Sequence, residues 1–244
     1  MSFNPINFWY FIIVLPILLI SLLLISKLYK KEEKNHLFII ISLSVLLFII
    51  RLILVFFQDT IGIMPKLKED AIFYSLLLGF GLLFTWYYLY RIEKSNFKDI
   101  GFKTENIKKS VFYGLIGIIP LMAITPLIIL LTSIPITFPP NISAEKIIIS
   151  LSFSLLGAIY EEVMFRGIIQ KHVKELVDNE WKIIIFTAII FTLTHLFYLP
   201  FDYGIYYIFV FVMAILLSWL RIHVDQFACA ITHGCVVFLL IILV

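Results

Sequence analysis

The densest chemistry in the sequence is the stretch AIYEEVMFRG, residues 158–167. Two adjacent carboxylates and a guanidinium stand inside an apolar run from Ile147 to Gln170. A bare charge at the centre of a bilayer costs about 2.5–3.5 kcal/mol on insertion scales, so ionisable groups there mark function by default. Glu162 and Arg166 are four residues apart, which sets them on one helical face where each neutralises the other. Glu161 projects about 100° away from Glu162, and no opposite charge stands three or four residues from it. One carboxylate thus holds an arginine, while its neighbour is of the type a general base requires.

Few residues can face Glu161. His36, His172 and His223 fall at segment ends or in loops and read as interfacial histidines. His195, in FTLTHLF, and His233, in AITHGCV, are embedded in apolar sequence. At about 1.5 Å of rise per residue, Glu161 lies roughly 15 Å from Lys171, His195 roughly 20 Å from Lys182 and His233 roughly 10 Å from Gln226. These depths predict that one acid and two imidazoles on three helices meet in a single cavity. A His₂Glu zinc site from Glu161, His195 and His233 is a minor alternative, and no His-Glu-x-x-His motif supports it. Ser152 and Ser154 lie in no nucleophile-elbow pattern. Cys229 shares a helical face with His233, which permits a Cys–His dyad, but it reads more simply as a packing residue.

The elements that must position these groups are membrane helices. Of 244 residues, 62% are hydrophobic and 14% charged, with a mean hydropathy of +1.06. Soluble domains are nearer 45–50% apolar and 25% charged. Eight segments approach the roughly 20 residues needed to cross hydrocarbon: Phe8–Ser26, His36–Phe57, Ala71–Tyr90, Val111–Ser133, Ile147–Gln170, Ile183–Leu199, Tyr203–Leu220 and Gln226–Val244. The first lacks the pattern of a signal peptide and reads as a retained span. The expectation is an all-α, polytopic membrane helical bundle of about eight transmembrane helices, residues 1–244 forming one membrane domain. Lysine and arginine concentrate in alternate loops, at 27–34, 91–109, 171–182 and 221. That bias predicts a multi-pass cell-membrane protein with basic loops inside and both termini extracytoplasmic. The net charge of +3 reflects this topology and the anionic lipid it favours, with no nucleic-acid partner. Residues 96–110, NFKDIGFKTENIKKS, read either as a short interfacial helix or as a solvated loop. Pro16, Pro120 and Pro126 fall inside spans. Cys229 and Cys235 are roughly 9 Å apart along a helix, too far for a disulfide.

In order along the chain, EEVMFR fits Glu-Glu-x-x-x-Arg, FTLTH fits Phe-x-x-x-His through Phe191 and His195, and His233 follows in the last span. This order on an eight-helix membrane protein resembles the CPBP family, the type II CAAX prenyl proteases and their bacterial Abi-type relatives. The resemblance covers a core from Ile147 to Val244. It implies an intramembrane, metal-independent, glutamate-dependent endopeptidase acting on a membrane-associated peptide or protein near the cytoplasmic face. By that resemblance Glu161 is the catalytic glutamate and His195 helps it activate water. Glu162, Arg166 and Phe191 support the cluster, His233 stabilises the oxyanion, and no cofactor is needed. The family's last motif reads His-x-x-x-Asn, whereas Val237 stands here. Removing one oxyanion donor costs about 10²–10³ in rate, so a non-catalytic scaffold with membrane-protein partners, for immunity or regulation, is the alternative. A proton-coupled transporter is a further one, although no inverted repeat divides the chain. The Ile-, Phe- and Lys-rich composition points to a bacterial host.

Overall fold

The computed structural model describes residues 35–45, 47, 79, 81–83, 85–132, 143–195 and 204–243. Every regular element among them is helical, as a chain must be where no water satisfies its backbone polar groups. Helix α1 covers Asn35–Val45. A short π-helical turn, Tyr88–Ile92, precedes a long helix α2, Ile107–Thr132. Helix α3, Ala144–Glu162, runs into a π-helical segment, Val163–Ile169, and then α4, Gln170–Leu176. Helices α5, Glu180–Leu193, α6, Gly204–His223, and α7, Gln226–Leu243, complete the described chain.

Among the described residues, three helical stretches are long and apolar enough to cross a membrane: Ile107–Leu127, Lys146–Leu176 and Ile205–His223. The expectation of eight spans is therefore met only in part. The segment Phe8–Ser26, with Pro16, and half of each of His36–Phe57 and Ala71–Tyr90 lie outside the described residues. Gln226–Ile242 is apolar but shorter. Residues 196–199 of the segment expected over Ile183–Leu199 lie outside the described residues, and within that segment α5 ends at Leu193. There the Thr194 hydroxyl bonds the Phe191 carbonyl at 2.7 Å and the His195 amide bonds the Thr192 carbonyl at 2.9 Å. These bonds tighten the last turn and draw donors out of the helical ladder. At about 1.5 Å per residue, such a helix is only about 21 Å long.

Helix α7 packs between α2 and α3, and small residues let it approach both. On α3 the buried Ser150, Ser154 and Ala158 recur every fourth residue and precede Glu162 on the same face. Gly234 of α7 lies against Ala158 and the Ser154 carbonyl. On α2, Gly114 and Gly117 meet Ile231 and Thr232, and the Thr232 hydroxyl donates to the Gly114 carbonyl at 2.7 Å. Stripes of small residues bring membrane helices into close backbone contact. Asp225 caps the start of α7, its carboxylate accepting from the Ala228 amide at 2.9 Å. Helix α2 continues through Pro120 and Pro126.

Of residues 96–110, Ile107–Ser110 open α2 and no separate interfacial helix forms; residues 96–106 are mostly exposed, nearer the solvated-loop alternative. They fold as turns that bury Ile100 completely against Gly167. Arg221 holds the Ile100 carbonyl at 3.0 Å, and its guanidinium fills the space beside Gly101, whose φ is 98°. His172 is likewise buried: Nε2 meets Glu93 at 2.8 Å and Nδ1 meets His36 Nδ1 at 2.8 Å. Lys171 adds a 2.9 Å ion pair to the same carboxylate. Burial alone would raise the Glu93 pKa, but the bonds from His172 and Lys171 outweigh it and hold the pKa at about 2.

Two stability predictions follow from these contacts. A Cβ on Gly114 would sit 2.9 Å from Ile231 Cβ and 3.2 Å from the Ala228 carbonyl. Gly114→Val is therefore expected to destabilise the protein by about 1–3 kcal/mol through overpacking, read as a lowered Tm in detergent. Glu93 titrates lower in the folded chain, at about 2, than its ordinary 4.5. Its stabilising effect is thus complete above pH 4.5 and disappears as the pH falls through 2. The Tm difference between the native protein and Glu93→Gln should narrow over that window and stay level above it.

Candidate functional site

The polar centre is built where α3 gives way to the π-helical segment. The change of winding comes immediately after Glu162, and the Gln170 amide donates to the Phe165 carbonyl, five residues back. All seven residues of the segment are buried. Single π-turns inside α-helices recur at functional sites. The i,i+4 pairing expected from the sequence persists across the junction: Arg166 Nη1 is 3.0 Å from Glu162 Oε1, both side chains being fully buried.

Two further contacts fix the guanidinium. Its Nη2 donates to the Ala214 carbonyl of α6 at 3.3 Å. Its flat face lies 4.3 Å from the centroid of the Phe191 ring, a cation–π geometry worth more when desolvated than when exposed. One turn on, Gln170 Nε2 repeats the pattern by donating to the Ser218 carbonyl at 3.2 Å. Arg166 and Gln170 thus form a two-rung ladder onto carbonyls one turn apart on α6.

Phe191 is the apolar hub of the centre. Its ring is 4.4 Å from His195, 5.9 Å from His233 and 4.8 Å from Phe165, centroid to centroid. The same residue aims His195, whose Nδ1 is 2.8 Å from the Phe191 carbonyl. A carbonyl can only accept, so Nδ1 carries the proton. The other nitrogen, Nε2, then turns toward Glu161. His233 is held in an analogous way from α7, its Nδ1 lying 2.8 Å from Glu162 Oε1. Its Nε2 also turns toward Glu161.

Glu161 Oε2 is 3.8 Å from His195 Nε2 and 3.8 Å from His233 Nε2. The structure therefore brings together all six residues singled out in the sequence: Glu161, Glu162, Arg166, Phe191, His195 and His233. The two glutamates differ in exposure, 14% for the Glu161 side chain against 0% for Glu162. Glu161 is therefore the more accessible of the two. Glu161, His195 and His233 are the donors that a zinc alternative would use, yet among the described residues no cluster of three such side chains has metal-site geometry. Cys229 gives its thiol to the Leu217 and Asp225 carbonyls, at 3.1 and 3.3 Å. Those bonds engage the sulfur on backbone oxygens, which disfavours the Cys–His dyad.

Residues 143–239 match the family model for Type II CAAX prenyl endopeptidase Rce1-like. The match covers less than half of the chain and includes every residue of the polar centre. No curated protein and no solved structure matches the chain. The Rce1-like family is one of CAAX protease-like membrane proteins, the same group to which the residue order pointed. Sequence reasoning missed two members of this centre. Gln170 lies i+4 from Arg166, a signal that was legible. Gln226 donates an amide hydrogen bond to the Glu162 carbonyl, and only the fold brings it there.

Removing Arg166 leaves the buried Glu162 carboxylate without its cation. Arg166→Met is expected to cost about 3–5 kcal/mol. Arg166→Lys should restore only part of it, since a lysine cannot reproduce the planar fork or the stacking on Phe191. Adding Glu162→Gln to Arg166→Met should recover stability relative to the single variant. Thermal unfolding of the purified proteins in one detergent checks all three.

Proposed function

We propose that the protein is an intramembrane, metal-independent endopeptidase that uses Glu161 and His195 to activate water against a membrane-associated peptide or protein. The carrying observation is the 3.8 Å approach of one Glu161 oxygen to the Nε2 atoms of both His195 and His233. That distance exceeds a direct hydrogen bond and leaves the carboxylate and both Nε2 atoms close enough together to contact one water beside them. Two carboxylates and one guanidinium meet here, so a single proton shared among Glu161, His195 and His233 makes the cluster neutral. With that proton on an imidazole Nε2, Glu161 remains ionised and can act as a base.

Water held by Glu161 and His195 gives up a proton to Glu161 as its oxygen bonds to the peptide carbonyl carbon. The carbonyl π electrons move onto oxygen, and His233 Nε2–H stabilises that oxyanion. Collapse re-forms the carbonyl and breaks the C–N bond, with the proton passing from Glu161 to the departing amine. Glu162 and Arg166 take no proton in this scheme and keep His233 aimed. The cytoplasmic side of the cleavage, the inward basic loops and the bacterial host belong to the same reading.

A second reading, a non-catalytic membrane scaffold, is favoured by one residue. Val237 occupies the place where the family motif supplies a second oxyanion donor. The two readings separate in cells carrying the native gene, Glu161→Gln or no gene. For the peptidase, membrane peptide products formed with the native gene fall by at least about 10²-fold in Glu161→Gln cells, at equal protein level. Product formation in isolated membranes should survive chelation of divalent metals. An identical peptide set in all three strains, with the protein present in membranes, refutes the peptidase and leaves the scaffold.

A further inference from the structure

We infer that Gln226 is a positioning residue of this centre, holding the π-helical junction that sets Glu161 and Glu162 on their separate tasks. The inference rests on the peptidase reading only where it concerns rate. Gln226 opens α7 and is completely buried. Its Nε2 donates to the backbone carbonyl of Glu162, the last residue of α3 before the π-helical segment. A side chain inserted into a helical hydrogen-bond ladder is one of the few physical causes of a break in winding. No proline interrupts residues 144–176, and Gly167 lies well inside the segment, not at its start. The amide of Gln226 is thus the cause at hand.

The placement has a geometric consequence. His233 lies seven residues, two helical turns, beyond Gln226 on α7, hence on the same face. One face of α7 grips the glutamate pair twice, at the Glu162 backbone through Gln226 and at the Glu162 carboxylate through His233. Two grips fix both the height and the rotation of the junction. Glu161 is covalently next to the gripped carbonyl, so its carboxylate is delivered to the two Nε2 atoms. With His233 alone, the segment could rewind as α-helix, turning Arg166 and the residues after it about the axis relative to Glu161.

Hydrogen exchange tests the grip without reference to activity. In purified full-length protein, Gln226→Met keeps length and removes the donor. Backbone amides of residues 163–170 are expected to exchange at least tenfold faster, while those within α6 are unchanged. Gln226→Glu supplies a donor only when protonated, so its exchange in this segment should approach the native rate as the pH is lowered. Native exchange in Gln226→Met, or no pH-dependent recovery in Gln226→Glu, overturns the inference. The rate is read with a farnesylated fluorogenic peptide as the probe: Gln226→Met should lower kcat at least tenfold and leave KM within twofold, with Gln226→Glu recovering toward acid pH. A parallel Glu161→Gln sample separates the two ideas. If it cleaves the probe at the native rate, the peptidase reading falls, while the exchange data still decide the role of Gln226.

Discussion

One oxygen atom organises this protein. Glu162 Oε1 accepts from Arg166 Nη1 at 3.0 Å and lies 2.8 Å from His233 Nδ1. Taking those groups out of water costs several kcal/mol per ion, and only good geometry with further hydrogen bonds repays it. The surroundings supply both. Arg166 has a carbonyl of α6 and the face of Phe191, and the Glu162 backbone has Gln226. Remove this oxygen and α3, the π-helical segment, α6 and α7 lose their common anchor. The orientation of His233, and with it the second imidazole facing Glu161, follows from the same bond.

The division of labour between adjacent glutamates is a consequence of helical geometry. Neighbours on a helix diverge by about 100°, so the two carboxylates point to different surroundings, and the partner they share, His233, meets each through a different ring nitrogen. Glu162 turns into the bundle and is spent on structure. Glu161 turns toward a less enclosed space and meets two imidazoles whose outer nitrogens are already committed, one to the Phe191 carbonyl and one to Glu162. Apolar packing makes that arrangement reachable. The small residues Ser150, Ser154 and Ala158 opposite Gly234 let α7 come close enough for its histidine to reach a carboxylate on α3.

Much of the centre was legible from residue types and spacing, because its strongest pair is local. Glu162 and Arg166 announce each other at i,i+4, and the convergence of His195 and His233 followed from depth alone. What was not legible depends on contacts between distant segments. The π-helical winding has no proline to mark it, and its start is fixed by a glutamine 64 residues further along the chain. Hydropathy gave Ile183–Leu199 as one span, since it counts apolar side chains and not the Thr194 and His195 bonds that end α5 at Leu193. Nothing in the stretch NFKDIGFKTENIKKS marks Ile100 for burial, which depends on close approach to the glycine at position 167.

The substitution at Val237 bears on rate more than on kind. Enzymes accelerate their reactions by about 10⁶-fold or more, and one oxyanion donor is worth about 10²–10³. A site short of that donor therefore keeps most of its catalytic capacity, provided its base is intact. The proposed base is also built from other elements: Glu161 comes from α3 and His195 lies just past the end of α5, whereas position 237 is on α7. A scaffold would need the Glu162–Arg166–His233 chain to hold its helices together, but it gains little from Glu161 and His195. Burying a carboxylate and an imidazole 3.8 Å apart costs more than packing two apolar side chains there. A chain that carries that cost beside an already complete structural network is better explained by chemistry at Glu161 than by architecture.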